Sequence, residues 1–168
     1  REYEKALPLY ERCLKKRNVL LGDNHPDTLN SMNSLGSFCM DQGEDSKALP
    51  LLEECLRMRK LVLGDIDPET LHSMNNLACL YSKIGEYGKA LLLYEECLKM
   101  RKIVLGDNHP DTLQSLSNLA SLYDNRGEHG KALPLYEKCL NVRKVEFGDH
   151  HTLTLSSLNS LGCLYAKI

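Results

Sequence analysis

The chain has 168 residues, 42% hydrophobic and 26% charged, with a formal net charge of -2 and a pI near 6.3. No apolar run approaches the roughly 18 to 20 residues of a membrane helix, and no concentrated basic face favours nucleic acid, so neither a membrane nor a nucleic-acid partner is expected. The seven cysteines are dispersed rather than set in pairs two to four residues apart, so no metal and no cofactor is expected, and free thiols point to a reducing, cytoplasmic compartment.

Sliding the chain along itself by 42 residues superposes Ala6, Ala48, Ala90 and Ala132, and likewise Gly22, Gly64, Gly106 and Gly148, each followed by aspartate. A period in this range marks a stack of units, none of which buries its apolar face alone. The whole of 1–168 therefore reads as a single array. Residues 1–22 supply a second-type helix (helix B) of a truncated repeat, 23–64, 65–106 and 107–148 are full repeats, and 149–168 supply a first-type helix (helix A). Four times 42 is 168, so both ends fall at one phase of the repeat, as expected of an excised or a designed array, and a fragment is the expectation. No charged, apolar and small-residue leader follows Arg1, so no signal peptide is expected.

In chain order, the first helix B is expected at about 4–21, with Tyr3, Leu7 and Tyr10 at positions that look interior. Pro8, and later Pro50 and Pro134, are placed near the first helical turn, where a missing N–H costs little. The next connector, GDNHPDT, opens the first helix A, and GDIDPET opens the second. There Asp67 is the expected cap, Pro68 the first helical residue and Glu69 a complement to the helix dipole. Leu71, Met74, Leu77, Ala78 and Tyr81 recur at steps of three and four, forming one buried stripe, and Gly85 is expected to end the helix. Helix B follows from about Gly88, carrying Ala90, Leu91, Tyr94, Cys97, Leu98 and Val104 inward, and Gly106 closes it. Lys99, Arg101 and Lys102 read as cations at the negative helix end, with Glu95 and Glu96 outward. The last connector, GDHHTLT, lacks proline, and Leu158, Leu161 and Leu164 beyond it again look interior, so both chain ends are expected to be sticky.

The triplets His25 to Asp27 and His109 to Asp111 match the tripeptide of chaperone J-domains. Their recurrence with the repeat, and Asp67 at the same place in another copy, favour helix capping instead.

This pattern resembles the tetratricopeptide repeat. The family's early large residue of helix A corresponds to Met32, Met74, Leu116 and Leu158, its small residue to Gly36, Ala78, Ala120 and Gly162, and its crossing alanine to positions 6, 48, 90 and 132. Tyr81, Tyr123 and Tyr165 match the helix A tyrosine, with Cys39 a departure; Tyr10, Tyr94 and Tyr136 match the helix B aromatic, with Leu52 a departure. The 42-residue period, the LGDxHPDT linker and the SxNNLAxLY stretch are similar to the repeats of kinesin light chains and nephrocystin-3-like proteins.

The resemblance implies an all-α, right-handed superhelical solenoid of tandem helix-turn-helix units with eight helices. It also implies a protein-interaction scaffold that binds a peptide or partner segment in a concave groove lined by the A helices. Stepping along those helices away from the core stripe gives Asn33, His72, Asn75, Asn76, Lys83, Gln114, Asn118, Ser121 and Asn159 as candidate peptide-binding residues. Amides present both donors and an acceptor, which suits them to hold an extended backbone. Asn76 and Asn118 match the asparagine that peptide-binding members of the family use, whereas the scarcity of groove cations beyond Lys83 and Lys167 argues against a strongly acidic ligand. The alternative reading is structural self-assembly, the incomplete terminal helices pairing head to tail. No enzyme is expected: His72 and Cys79 lie roughly 10 Å apart along a helix, beyond the reach of a nucleophile and its base.

Overall fold

The computed structural model describes residues 3–168; Arg1, Glu2 and the Tyr3 side chain, the last expected to be interior, lie outside the described residues. The described residues form eight α-helices and no strand. They fall into two compact units, Arg1–Gly85 and Glu86–Ile168, divided within the segment read as repeat 65–106.

Unit 1 holds α1 (Tyr3–Leu21), α2 (Pro26–Asp41), α3 (Asp45–Val62) and α4 (Pro68–Lys83). Each helix packs on the next, and α2 also touches α4. The glycine turns behave as their positions demand: Gly43 between α2 and α3 has φ +79° and Gly64 between α3 and α4 has φ +91°, a region that L side chains adopt only under strain. The apolar stripes meet in the interior, with Leu29, Leu52, Leu71, Met74 and Leu80 fully buried, each worth about 1.5–3 kcal/mol of transfer free energy. Gly36 is buried where α2 meets α3, and a Cβ there would lie 2.8 Å from Leu52 Cγ and Cδ2. Leu52, the departure from the helix B tyrosine, thus fills the space that Gly36 leaves.

Unit 2 holds α5 (Tyr87–Leu105), α6 (Pro110–Asn125), α7 (His129–Phe147) and α8 (Thr152–Tyr165), again each packed on the next. Ala120 of α6, Ala132 and Tyr136 of α7, and Leu161 and Leu164 of α8 form its core cluster. The sequence-based expectation for α8 is therefore split. Leu161 and Leu164 are interior, whereas Leu155, Leu158 and Tyr165 are the exposed apolar groups of that helix.

Three further expectations change. Pro50 and Pro134 occupy the sixth positions of α3 and α7, in the second turn rather than the first, so each removes one backbone bond, and both lie at exposed positions. Val104 faces solvent, because it falls in the last turn of α5 beyond the packed stripe. Arg101 is buried instead of standing at the helix end in water, as are Arg59 and Arg143. No described helix is long and apolar enough to cross a membrane.

Candidate functional site

The A helices α2, α4, α6 and α8 are set by a common N-terminal device. Asp67 Oδ1 accepts the Glu69 N–H at 2.9 Å, and the Nδ1 atoms of His25, His109 and His151 accept the N–H two residues on at 3.1–3.2 Å. An accepting Nδ1 requires the proton on Nε2, so these histidines act as neutral caps. Histidine of the His-Pro-Asp triplets thus serves the helix start, as its recurrence with the repeat indicates.

A second recurring device, which the sequence reading missed, ties the end of each B helix to the next A helix. Arg17, Arg59, Arg101 and Arg143 each donate through Nη1 to the hydroxyl of Ser31, Ser73, Ser115 or Ser157, at 2.6–2.8 Å. The same nitrogen reaches a first-turn carbonyl, of Asp27, Glu69, Asp111 or Leu153, at 2.7–3.4 Å. These bonds join a cation to carbonyls and hydroxyls of the following helix, so they set how it leans. The available signal was the strict 14-residue step from arginine to serine in all four copies.

In unit 1, α2 and α4 carry the candidate residues Asn33, His72, Asn75, Asn76 and Lys83. Asn33 is buried and accepts from the Ser73 hydroxyl at 3.1 Å, so it bridges the two helices. Asn76 Nδ2 lies 3.1 Å from Ser37 Oγ and 3.2 Å from His72 Nε2. His72 is exposed. Asn75 is buried, its Nδ2 4.0 Å from Cys79 Sγ. Lys83 Nζ is paired with Asp45 Oδ1 at 2.8 Å and the Met40 carbonyl at 2.5 Å. Two shallow depressions adjoin on this face. One, of about 290 Å³, is lined by Tyr10, Asn33, Ser34, Ser37, Phe38, Asp41 and His72. The other, of about 210 Å³, is lined by Asn30, Asn33, Ser34, Arg59, Glu69 and His72. The Tyr10 and Phe38 rings stack at 4.9 Å between centroids beside the first. Carboxylates, amides, hydroxyls and a ring pair therefore share one surface, with Arg59 beneath it.

In unit 2, Gln114, Asn118 and Ser121 lie along α6, where Gln114 Nε2 donates to Asn118 Oδ1 at 2.9 Å and Ser121 hydrogen-bonds the Tyr136 side chain. Asn159 is exposed on α8. The second groove cation, Lys167, is paired with Asp124 at 2.7 Å. Both cations noted in the sequence are thus engaged by carboxylates of the chain itself.

The thiols recur beside the arginine and serine: Cys55 Sγ donates to the Leu29 carbonyl at 3.3 Å and lies 3.6 Å from Ser73 Oγ. Burial pushes the Cys55 and Cys97 thiols up despite the neighbouring guanidinium, and Cys139 up to about 11. A thiol held protonated is a poor nucleophile, so this cluster reads as packing. Among the described residues no group of three or more His, Cys, Asp or Glu could hold a metal ion.

Paired helices repeated at a fixed period, with polar residues on the A-helix face, define a helical repeat scaffold. Tetratricopeptide-repeat family models match residues 70–111, and 1–60, 93–144 and 111–168, so the chain belongs to the tetratricopeptide repeat family. Such repeats are generally protein–protein interaction scaffolds and typically non-enzymatic. Among solved structures, a variant of a Podosopora anserina protein, provisionally described as a kinesin light chain with nearly identical TPR-like repeats, matches at TM-score 0.83 and 26% identity. That match covers 98% of this chain and 77% of the other. BtubC (BKLC) from P. vanneervenii matches at 0.80 and 21% identity, over 99% and 67% of the two chains. The Sgt2 TPR domain from Aspergillus fumigatus matches at 0.59 and 20%, over 85% and 80%. No curated protein is significantly similar in sequence.

Proposed function

We propose that each unit binds an extended segment of a partner protein on its own A-helix faces, unit 1 through Asn33, His72, Asn75, Asn76 and Lys83, and unit 2 through Gln114, Asn118, Ser121 and Asn159. The observation that carries the reading is the pair of adjoining depressions over α2 and α4, which share Asn33, Ser34 and His72. Their walls mix donors and acceptors with the Tyr10 and Phe38 rings, the combination that recognises a peptide backbone and an apolar side chain together. Asn33, Asn75 and Asn76 are engaged within the fold and hold the surface in shape, while exposed His72 and Asn159 meet the ligand directly. Because Lys83 is already paired with Asp45, the ligand segment carries few acidic residues against unit 1. Seven free thiols suit the reducing environment of the cytoplasm, where we place the protein.

The test is a peptide array probed with the wild type and with His72→Ala and Asn159→Ala, both at exposed positions. Bound peptides should lose about tenfold in affinity, roughly 1.4 kcal/mol, with thermal stability unchanged. Equal binding by wild type and variants would overturn the reading. Head-to-tail association through the terminal helices is the second reading, favoured by exposed Leu155, Leu158 and Tyr165 on α8. It requires a sedimentation coefficient that rises with concentration and falls back in Leu158→Lys; Leu161, a core residue, is not a suitable probe.

A further inference from the structure

Near its C-terminal end each B helix carries an aliphatic residue that the fold leaves in water. Val19 of α1, Leu61 of α3, Ile103 of α5 and Val145 of α7 stand 42 residues apart and are 79, 70, 69 and 84% exposed. Apolar side chains stabilise a fold by leaving water, so these four contribute little to it. Both α3 and α7 pack on the helix before and the helix after, and neither neighbour covers Leu61 or Val145.

On α1 the same face forms a depression of about 490 Å³ lined by Arg12, Lys15, Lys16, Val19 and Leu20. Steps of three, four, seven and eight residues from Arg12 place these side chains on one stripe, so the depression runs along α1 as a groove for the side-chain ridge of another helix. The equivalent residues Glu54, Arg57, Leu61 and Val62 of α3 are exposed with α2 and α4 both in place, so this stripe is not one that a neighbouring repeat helix covers. Unit 2 carries a similar depression on α5, of about 390 Å³, lined at the same spacing by Glu95, Leu98, Lys99, Lys102 and Ile103.

Charge sets α1 apart. On α3, Arg57 donates to both carboxylate oxygens of Glu54 at 2.8 and 2.7 Å, and Lys60 lies 3.7 Å from Asp65. On α5 an acid, Glu95, joins the lining, and Lys102 lies 3.6 Å from Asp107. Arginine stands at position 12, where α3 and α5 have Glu54 and Glu96. Residues 11–21 hold Arg12, Lys15, Lys16 and Arg17 against Glu11 alone, and Arg12, Lys15 and Lys16 form no ion pair among the described residues. Three cations without a counter-charge, beside two exposed aliphatic side chains, complement a ridge that is apolar along its crest and acidic on its flanks. The hollow suits a helix, whose side chains enter it, whereas an anionic bilayer would need the apolar groups to protrude.

We propose that this stripe of α1 docks an acidic amphipathic helix of a partner protein, the apolar ridge seated on Val19 and Leu20 and the carboxylates meeting Arg12, Lys15 and Lys16. The site is carried by a B helix and is separate from the A-helix faces.

The test is fluorescence anisotropy of labelled peptides titrated with the 168-residue chain at fixed ionic strength. Three probes are used: ELEELLEALEELA, which is acidic and amphipathic; EQEEQQEAQEEQA, which keeps the charge without the leucines; and KLKKLLKALKKLA, which keeps the leucines with the charge reversed. The first should bind saturably and about tenfold more tightly than either control. Lys15→Glu with Lys16→Glu, and separately Val19→Ser with Leu20→Ser, should each weaken it about tenfold at an unchanged melting temperature, because all four positions are exposed. Val145→Ser, at the equivalent position of α7, should leave binding as it is. Equal binding of the three peptides, undiminished binding by either double variant, or an equal loss in Val145→Ser would overturn the site. So would co-sedimentation with vesicles of phosphatidylcholine and phosphatidylserine that the α1 variants abolish while the acidic peptide fails to bind, since the stripe would then serve a lipid surface.

Discussion

Unit 1 and unit 2 are built on the same helix plan, but they compensate their buried polar groups differently. Arg59 is closed off by Glu69 and Asn30, and Gly36 by Leu52; Arg143 has no acid, and a Cβ on Gly162, the counterpart of Gly36, would meet nothing within 4 Å. The glycines differ because α3 packs over Gly36 and no described helix follows α8, whereas at the arginines one variable position, glutamate at 69 and leucine at 153, decides whether a buried guanidinium meets an acid.

That contrast is broken most forcefully at the arginines. Arg59→Ala removes bonds to Ser73, the Glu69 carbonyl and carboxylate, and Asn30, and should cost unit 1 about 3 kcal/mol in chemical denaturation followed by hydrogen exchange. Arg143→Met, which removes an uncompensated charge and keeps the volume, should cost less than about 1 kcal/mol in the same measurement. Equal losses would show that the acidic partner is irrelevant to the arginine's role.

The glycine pair should respond with opposite signs. Gly36→Ala forces a methyl against Leu52 and should lose about 1–2 kcal/mol, recoverable in part by Leu52→Val, which relieves the clash. Gly162→Ala adds helix propensity in open space and should gain up to about 1 kcal/mol, read as a higher melting temperature.

The smallest effect near neutrality concerns the thiols. Cys13 and Cys163 are exposed and should react with a thiol reagent at once, whereas Cys55, Cys97 and Cys139 should react only as their surroundings unfold. For Cys139 the folded pKa, about 11, lies above the reference value of 9.0. The unfolded chain therefore releases its proton first, and the contribution to stability, complete below about pH 9, is lost as pH rises towards 11. A Cys139→Ala variant should flatten the alkaline decline of unit 2, and an unchanged slope would show that this thiol is not its source.

Much of the helical frame was legible because it depends on neighbours along the chain. Asp67 at a cap, Pro68 at the first helical position and Gly85 and Gly106 in left-handed turns follow from local backbone chemistry, and the structure places them so. Arg101 was misread for the same reason. A cation in the last turns satisfies a local dipole rule, but its partners are the Asp111 carbonyl and Ser115, 10 and 14 residues away on another helix. The candidate strip was legible as a row of polar positions. Helical stepping alone did not separate exposed His72 from Asn33 and Asn75, which neighbouring groups cover.

The amino-acid sequence by itself determined the repeat, the eight helices and the buried stripe of α4, since these depend on spacing, caps and φ preferences within a few residues; at Val104 and Leu158 the expected inward face proved exposed. Tertiary structure alone decided which polar groups are enclosed and what each one meets. That residues 10 and 14 positions on meet each arginine was set by the packing of the following helix, whereas Arg59 finds a carboxylate and Arg143 only a carbonyl because that packed position carries glutamate at 69 and leucine at 153.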